Sequence, residues 1–289
     1  VIPPLVTPFR QDGALDLAAF EANLEAYAAY DLGGYLVLGS NGEAAGLEDA
    51  ERQVLVRVAR AGAGSRVLLA GTGRESTRGT IESTRQAAEA GADAALVLTP
   101  HYYRSQMTAE ALVRHFAAVA DASPIPVLLY SVPQFTGLPF PPAVAAALAG
   151  HPNVRGMKES SGDLGLLARI RAAVPPRFQL ACGSAPIFYP ALCLGVPAGV
   201  LAVACCAPAE AAALFRACEA GDHARARRLH EALLPLAIAV TETWGVAGLK
   251  VAMSLAGLHG GQTRAPLLPA PDKAYEELRG LLERAQAAA

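Results

Sequence analysis

The sequence predicts an α/β protein, a closed (β/α)8 TIM barrel with a C-terminal helical appendage. Three observations lead there. Eight short apolar runs recur between Ile2 and Val203, stretches with helical apolar spacing separate them, and after Gly221 only helical patterns follow. Short runs rich in apolar residues read as strands buried on both faces, which is the pattern of a parallel sheet covered by helices. Eight such units match a barrel. An open doubly wound sheet is the alternative. It is disfavoured because no glycine-rich phosphate loop follows the first run, and "GTGRES" (Gly71 to Ser76) is too short a match to supply one.

The expected strands are Ile2 to Val6, Tyr35 to Leu38, Val67 to Ala70, Ala94 to Leu98, Val127 to Tyr130, Val154 to Met157, Phe178 to Ala181 and Val200 to Val203. Between them, "DLAAFEANLEAYAAY" places Leu17, Phe20, Leu24 and Tyr27 on one helical face, and "TAEALVRHFAAVA" does the same with Leu112, Phe116 and Val119. Asp16 and Thr108 stand where N-caps belong, and Gly91 stands where a helix should stop. The expected division is a catalytic barrel over residues 1–221 and a helical region over 222–289. The latter holds helices at Asp222 to Thr243, Val246 to Leu258 and Pro271 to Ala287, with no disordered linker.

Composition narrows the function. Apolar residues make up 53 % of the chain, yet no run approaches the roughly 18 apolar residues of a membrane helix. A net charge of −2 leaves no footprint for nucleic acid or an anionic membrane. "VIPPLVTPF" shows no basic region before an apolar signal core, so a cytoplasmic location is expected. Cys182, Cys193, Cys205, Cys206 and Cys218 are odd in number and lack CxxC spacing, which reads as reduced core thiols.

In barrels, reactive groups gather where strands end. Lys158 closes the sixth run, in a chain whose only other lysines are Lys250 and Lys273. There, desolvation would favour the neutral, nucleophilic amine. Tyr130 closes the neighbouring fifth run and can bring a phenol to that amine, a pair suited to Schiff-base formation with a ketone. The structural alternative is an ion pair of Lys158 with Glu159 or Asp163. "GSNGE" (Gly39 to Glu43) brackets Ser40 and Asn41 with glycines, a short cradle for a carboxylate. Glu43 itself reads as an acceptor for backbone N–H groups. The six histidines show no HxH or HExxH spacing, which argues against a metal-dependent aldolase, and no GxSxG elbow supports serine chemistry. Cys205 and Cys206 could touch the pocket or merely pack.

Those residues resemble the dihydrodipicolinate synthase and N-acetylneuraminate lyase superfamily of pyruvate-dependent class I aldolases. The resemblance runs through "PPLVTPF", "GSNGE", "TPHYY", "YSVP", "GMKESSGD" and "GLKVAMSLAGL". It implies that Lys158 forms the imine with pyruvate, that Tyr130 shuttles protons, and that Ser40 and Asn41, with Gly39, hold the pyruvate carboxylate. It also implies that Tyr102, or the adjacent Tyr103, is lent across a dimer interface, and hence a homotetramer built from dimers. Lys250 does not match the imine lysine. Ser160, Gly183, Phe135 and Val203 are further candidates for lining the substrate. No metal or organic cofactor is implied, because the imine itself is the electron sink.

One departure bears on the subfamily. The synthases read YNVPxRTG, with the arginine binding the carboxylate of aspartate semialdehyde. Here "YSVPQFTG" puts Phe135 in its place. With "GSNGE" and "GGQTRAPL" (Gly260 to Leu267), this looks closer to the 4-hydroxy-2-oxoglutarate aldolases, which release pyruvate and glyoxylate. Sialic acid lyases look more distant. The expectation is therefore a carbon-carbon lyase of that kind; the rivals are a lysine-pathway synthase and a non-catalytic 2-oxo-acid binder.

Overall fold

The computed structural model describes residues 1–288 of the 289-residue chain. Seven strands run in one parallel sheet whose order follows the chain: β1 (Gly34–Val37), β2 (Val67–Gly71), β3 (Ala94–Leu98), β4 (Val127–Ser131), β5 (Val154–Glu159), β6 (Gln179–Cys182) and β7 (Ala198–Gly199). The strand-helix alternation is that of the predicted barrel, followed by helices alone. No helix among the described residues is long and apolar enough to cross a membrane.

Two expected strands differ. Residues 2–6 form no named strand; only an isolated parallel bridge, Pro4 to Leu36, marks the place. Pro3 and Pro4 lack the N–H groups a ladder needs, although Leu5 N still donates to Leu36 O at 2.8 Å. The eighth run was expected at Val200 to Val203, but pairing occurs at Ala198–Gly199 and Ala202–Cys205 coils into a 3-10 turn. Apolarity alone does not separate a buried strand from a buried turn.

The chain divides into two compact units, residues 68–200 and residues 1–67 with 201–289. In the first, strands β3, β4 and β5 bury all but one residue each, and helices Thr77–Glu89, Ala109–Ala122, Pro142–Leu148 and Leu164–Ala173 separate successive strands. Thr108 caps its helix through Ala111 N, and Gly91 takes φ 101° after the preceding one, as expected. One irregularity governs register. β4 and β5 pair Val127 with Val154 but then Leu128 with Gly156, so Arg155 is an extra residue, a β-bulge. Gly156, next to it, lets β6 approach from the other side, since a Cβ there would collide with Gln179 O.

In the second unit, Asp16 caps Leu17–Tyr27 through Ala19 N, and Phe20, Leu24 and Tyr27 are buried as predicted. After Gly221 come His223–Ile238, capped by Asp222, then Gly245–Leu255 and Asp272–Gln286. The last helix buries Ala274, Leu278, Leu281, Leu282 and Ala285, a helical stripe that packs on the two helices before it. Arg264 ties distant segments of this unit together. Its guanidinium meets both Glu51 oxygens at 2.6 Å, and also donates to Gly13 O and to Gly46 O. All five cysteines are free, but Cys193 is exposed, so the reading of five core thiols is corrected there.

The bidentate contact with Arg264 holds the Glu51 carboxyl below the usual carboxylate range. A depressed carboxylate stabilises the fold above its unfolded pKa and loses that contribution as pH falls through the folded one. Arg264→Lys, which cannot reproduce the planar fork, is therefore expected to lower stability by about 1–3 kcal/mol near neutral pH. Urea melts of both proteins should show the difference shrinking below about pH 4.

Candidate active site

Parallel pairing brings the two expected reactive groups together. Because Arg155 is bulged out, Tyr130 becomes the Cα partner of Lys158, and Ser131 that of Glu159. Partners on adjacent strands share a face, and successive residues alternate faces. Lys158 and Tyr130 therefore stand side by side on one face, with Glu159 and Ser131 on the other. Lys158 Nζ lies 3.4 Å from Tyr130 Oη and 4.5 Å from the ring centroid, and both side chains are buried.

The ion-pair alternative for Lys158 is not realised among the described residues. Glu159, wholly buried, accepts from Ser161 N at 2.9 Å and from Ser161 Oγ at 2.9 Å, and Ser131 Oγ reaches it at 3.4 Å. Burial pushes its carboxyl above the usual range, against those hydrogen bonds. Asp163 instead caps Leu164–Ala173 by accepting from Leu166 N. No acid among these neutralises the amine.

Two of the weaker candidates crowd the lysine arm. Ser160 Oγ is buried and has no hydrogen-bond partner among the described residues. A Cβ on Gly183 would collide with that oxygen and would lie 2.8 Å from Lys158 Cε. Only glycine leaves the space that the amine chain occupies. Sequence reasoning missed Gln134, whose amide donates to Ser160 O at 2.8 Å and Ser161 O at 3.1 Å, fastening the loop that follows Lys158. A polar residue in "YSVPQ" gave no signal of that bond.

Tyr102 and Tyr103 are 75 % and 69 % exposed, their rings edge to face at 5.0 Å, so neither is brought to Lys158 within this part of the chain. Glu75 was also missed: one of its oxygens accepts from both His101 N and Tyr102 N, and the other lies 2.9 Å from His101 Nδ1. Phe135 lies on the four-residue helix Pro133–Thr136 and is 67 % exposed.

In the other unit, Gly39 to Glu43 form a tight turn. Gly42 N and Ala44 N donate to Gly39 O, and Glu43 N donates to Ser40 O. These three N–H groups are engaged inside the loop, so the cradle expected from its backbone is narrower than the glycines implied. Leu38 and Glu43 flank it with φ of 60° and 52°. Left-handed conformations of that kind cost about 1–3 kcal/mol each in bulky residues and persist only where the surroundings enforce them. Val203 is buried in the 3-10 turn, where its carbonyl accepts from Cys206 N and Ala207 N. Cys205 Sγ contacts Pro4 O and Cys206 Sγ contacts Val203 O, the packing reading of these thiols. Burial pushes Cys206 up to about 12, which leaves it unreactive.

Gly183→Ala is expected to fold, because the atoms it meets belong to the Ser160 and Lys158 side chains and not to backbone, but to displace the Lys158 arm. Steady-state assays should show kcat falling about ten-fold or more, since displacements near 1 Å are that costly.

With this geometry in view, the comparisons place the chain. It matches the dihydrodipicolinate synthetase family over residues 1–285. A 4-hydroxy-tetrahydrodipicolinate synthase of Exiguobacterium sp. is 35 % identical over 98 % of this chain and 97 % of its own. YagE, a prophage protein of E. coli K12 in the dihydrodipicolinic acid synthase family, solved with pyruvate, superposes with a TM-score of 0.93 at 30 % identity, covering 99 % of this chain and 97 % of that one. A monomeric dihydrodipicolinate synthase variant superposes equally well, at 0.93 and 28 % identity, over 99 % and 96 %. A buried lysine beside a tyrosine at paired strand ends, on a fold shared along the whole chain, thus belongs to a member of the dihydrodipicolinate synthetase family, whose enzymes are pyruvate-dependent carbon-carbon lyases.

Proposed function

We propose that the protein makes a pyruvate enamine on Lys158 and couples it to, or releases it from, an aldehyde. The observation that carries this reading is the buried Lys158 amine 3.4 Å from the Tyr130 hydroxyl. The amine adds to C2 of the 2-oxo acid, and water leaves to give the imine. Loss of a C3 proton gives the enamine, whose C3 forms the new bond to the aldehyde carbon; in the reverse sense, Tyr130 takes the C4 hydroxyl proton as C3–C4 breaks. The protonated imine is the electron sink, and members of this family need no further cofactor. In this reading Ser40, Asn41 and Gly39 hold the carboxylate, and Ser160 and Gly183 line the site with Phe135 and Val203.

For the aldehyde, the relatives' name favours aspartate semialdehyde and the synthase reaction. That ranks above the glyoxylate chemistry of 4-hydroxy-2-oxoglutarate aldolases expected from the motifs. The second reading keeps one specific support: Phe135 has no charge with which to clamp a second carboxylate. The homotetramer belongs to the same proposal. The exposed ring of Tyr102 supports its loan to a partner subunit, although one solved likeness is a monomeric variant.

Borohydride reduction with pyruvate, followed by peptide mapping, should place one adduct on Lys158 and none in Lys158→Arg. Full turnover by Lys158→Arg would sink the imine, because a guanidinium cannot form one. Tyr130→Phe should keep some adduct and lose about 100-fold or more in kcat. Adduct formation without turnover of either aldehyde would mean a binder. With both aldehydes assayed, faster consumption of aspartate semialdehyde supports the synthase. Faster consumption of glyoxylate, with Phe135→Arg improving aspartate semialdehyde by about ten-fold or more, supports the aldolase.

A further inference from the structure

The chain's second buried lysine lies in a different network. Lys250 Nζ lies 2.5 Å from Glu43 Oε1 and donates to Thr7 O at 2.8 Å and Gln262 O at 2.5 Å. Thr7 Oγ1 in turn donates to Gly42 O at 2.7 Å, and Arg264 N donates to Glu43 Oε2 at 2.9 Å. Lys250, Thr7, Gly42 and Glu43 thereby close a ring of contacts around one end of the Gly39–Glu43 loop. Thr7, Glu43 and Lys250 are each more than nine-tenths buried. The Phe9 ring lies against the Lys250 amine at 4.7 Å and the Arg264 guanidinium at 4.2 Å, completing the enclosure.

The same loop is where the backbone is strained. Leu38 and Glu43 are the only non-glycine residues with positive φ among those described, and they flank Gly39, Ser40, Asn41 and Gly42. Nothing in Glu43's own chemistry favours that conformation. Its carboxylate is tied to Lys250 in an ion pair that cannot relax into water, because both charges are buried and each is the other's compensation. Strain imposed on a loop that is proposed to receive a carboxylate points to pre-organisation.

We propose that the Lys250–Glu43 ion pair is a positioning device that presets the Gly39–Glu43 loop for the carboxylate of the 2-oxo acid, and so sets affinity for that substrate without entering the chemistry. This rests on the reading of Ser40 and Asn41 as the carboxylate-holding residues. Neither charge touches the reacting atoms. A relaxed loop therefore weakens substrate capture and leaves the step on Lys158 intact.

The test is borohydride trapping on Lys158 across a pyruvate titration, with amide hydrogen exchange over residues 42–46, on the wild type and Glu43→Gln. The half-saturating pyruvate concentration is expected to rise about ten-fold or more, with the yield at saturation unchanged and exchange over 42–46 accelerated. An unchanged half-saturation, or a folded variant that no pyruvate concentration traps, overturns the proposal. Should Glu43→Gln not fold, Glu43→Gln/Lys250→Met removes both buried charges together and is read the same way. If the wild type is not trapped, the enamine reading fails. Exchange then decides alone: amides over 42–46 protected as in the wild type overturn the positioning role.

Discussion

The register between β4 and β5 is the constraint on which the site depends. One bulged residue, Arg155, shifts the pairing by one place, and that shift aligns Lys158 with Tyr130 and Glu159 with Ser131. With the bulge absent, the pairing that starts at Val127 and Val154 would set Tyr130 opposite Met157, on the face away from Lys158. Beside the bulge, Gly156 serves the other neighbour, since its missing side chain lets Gln179 O of β6 come close. A local backbone irregularity, not the identity of the lysine alone, thus makes an amine and a phenol neighbours.

The two buried lysines show how surroundings divide one residue type into two roles. Lys250 faces a carboxylate and two carbonyls, and its charge is compensated. Burial still pulls its pKa down, while Glu43 pushes it back up. Lys158 meets a phenol, with its adjacent glutamate turned to the other face and tied to Ser131 and Ser161. An amine without an acidic partner can exchange its proton for a carbon bond; one locked to a carboxylate serves the fold.

The sequence made some of this legible and hid the rest for physical reasons. Strand positions, the N-caps at Asp16 and Thr108, and the approach of Tyr130 to Lys158 follow from periodicity and from chemistry at strand ends, and the structure agrees with each. The first and eighth strands did not follow, because two prolines remove ladder donors and because a buried turn is as apolar as a buried strand. Glu75, Gln134 and the Lys250–Glu43 pair escaped for a different reason. Each acts through one long-range contact, and a single polar residue carries no period that would announce its partner. The meeting of Lys158 with Tyr130 was legible from their places at neighbouring strand ends, but the narrowing of the Ser40-Asn41 loop by its own carbonyls was not.

Phe135 stands apart from everything that holds the protein together. It projects from a four-residue helix, is two-thirds exposed, and contributes nothing to the core that the strands build. Lys158, Tyr130 and Gly183, by contrast, are fixed by strand register and close contact. The position of Phe135 can therefore take another side chain without disturbing the packing around Lys158 and Tyr130. On the proposed reading, in which Phe135 lines the aldehyde end of the site, a change of side chain there costs the core nothing, and two chains that share the whole fold can differ in the aldehyde they accept.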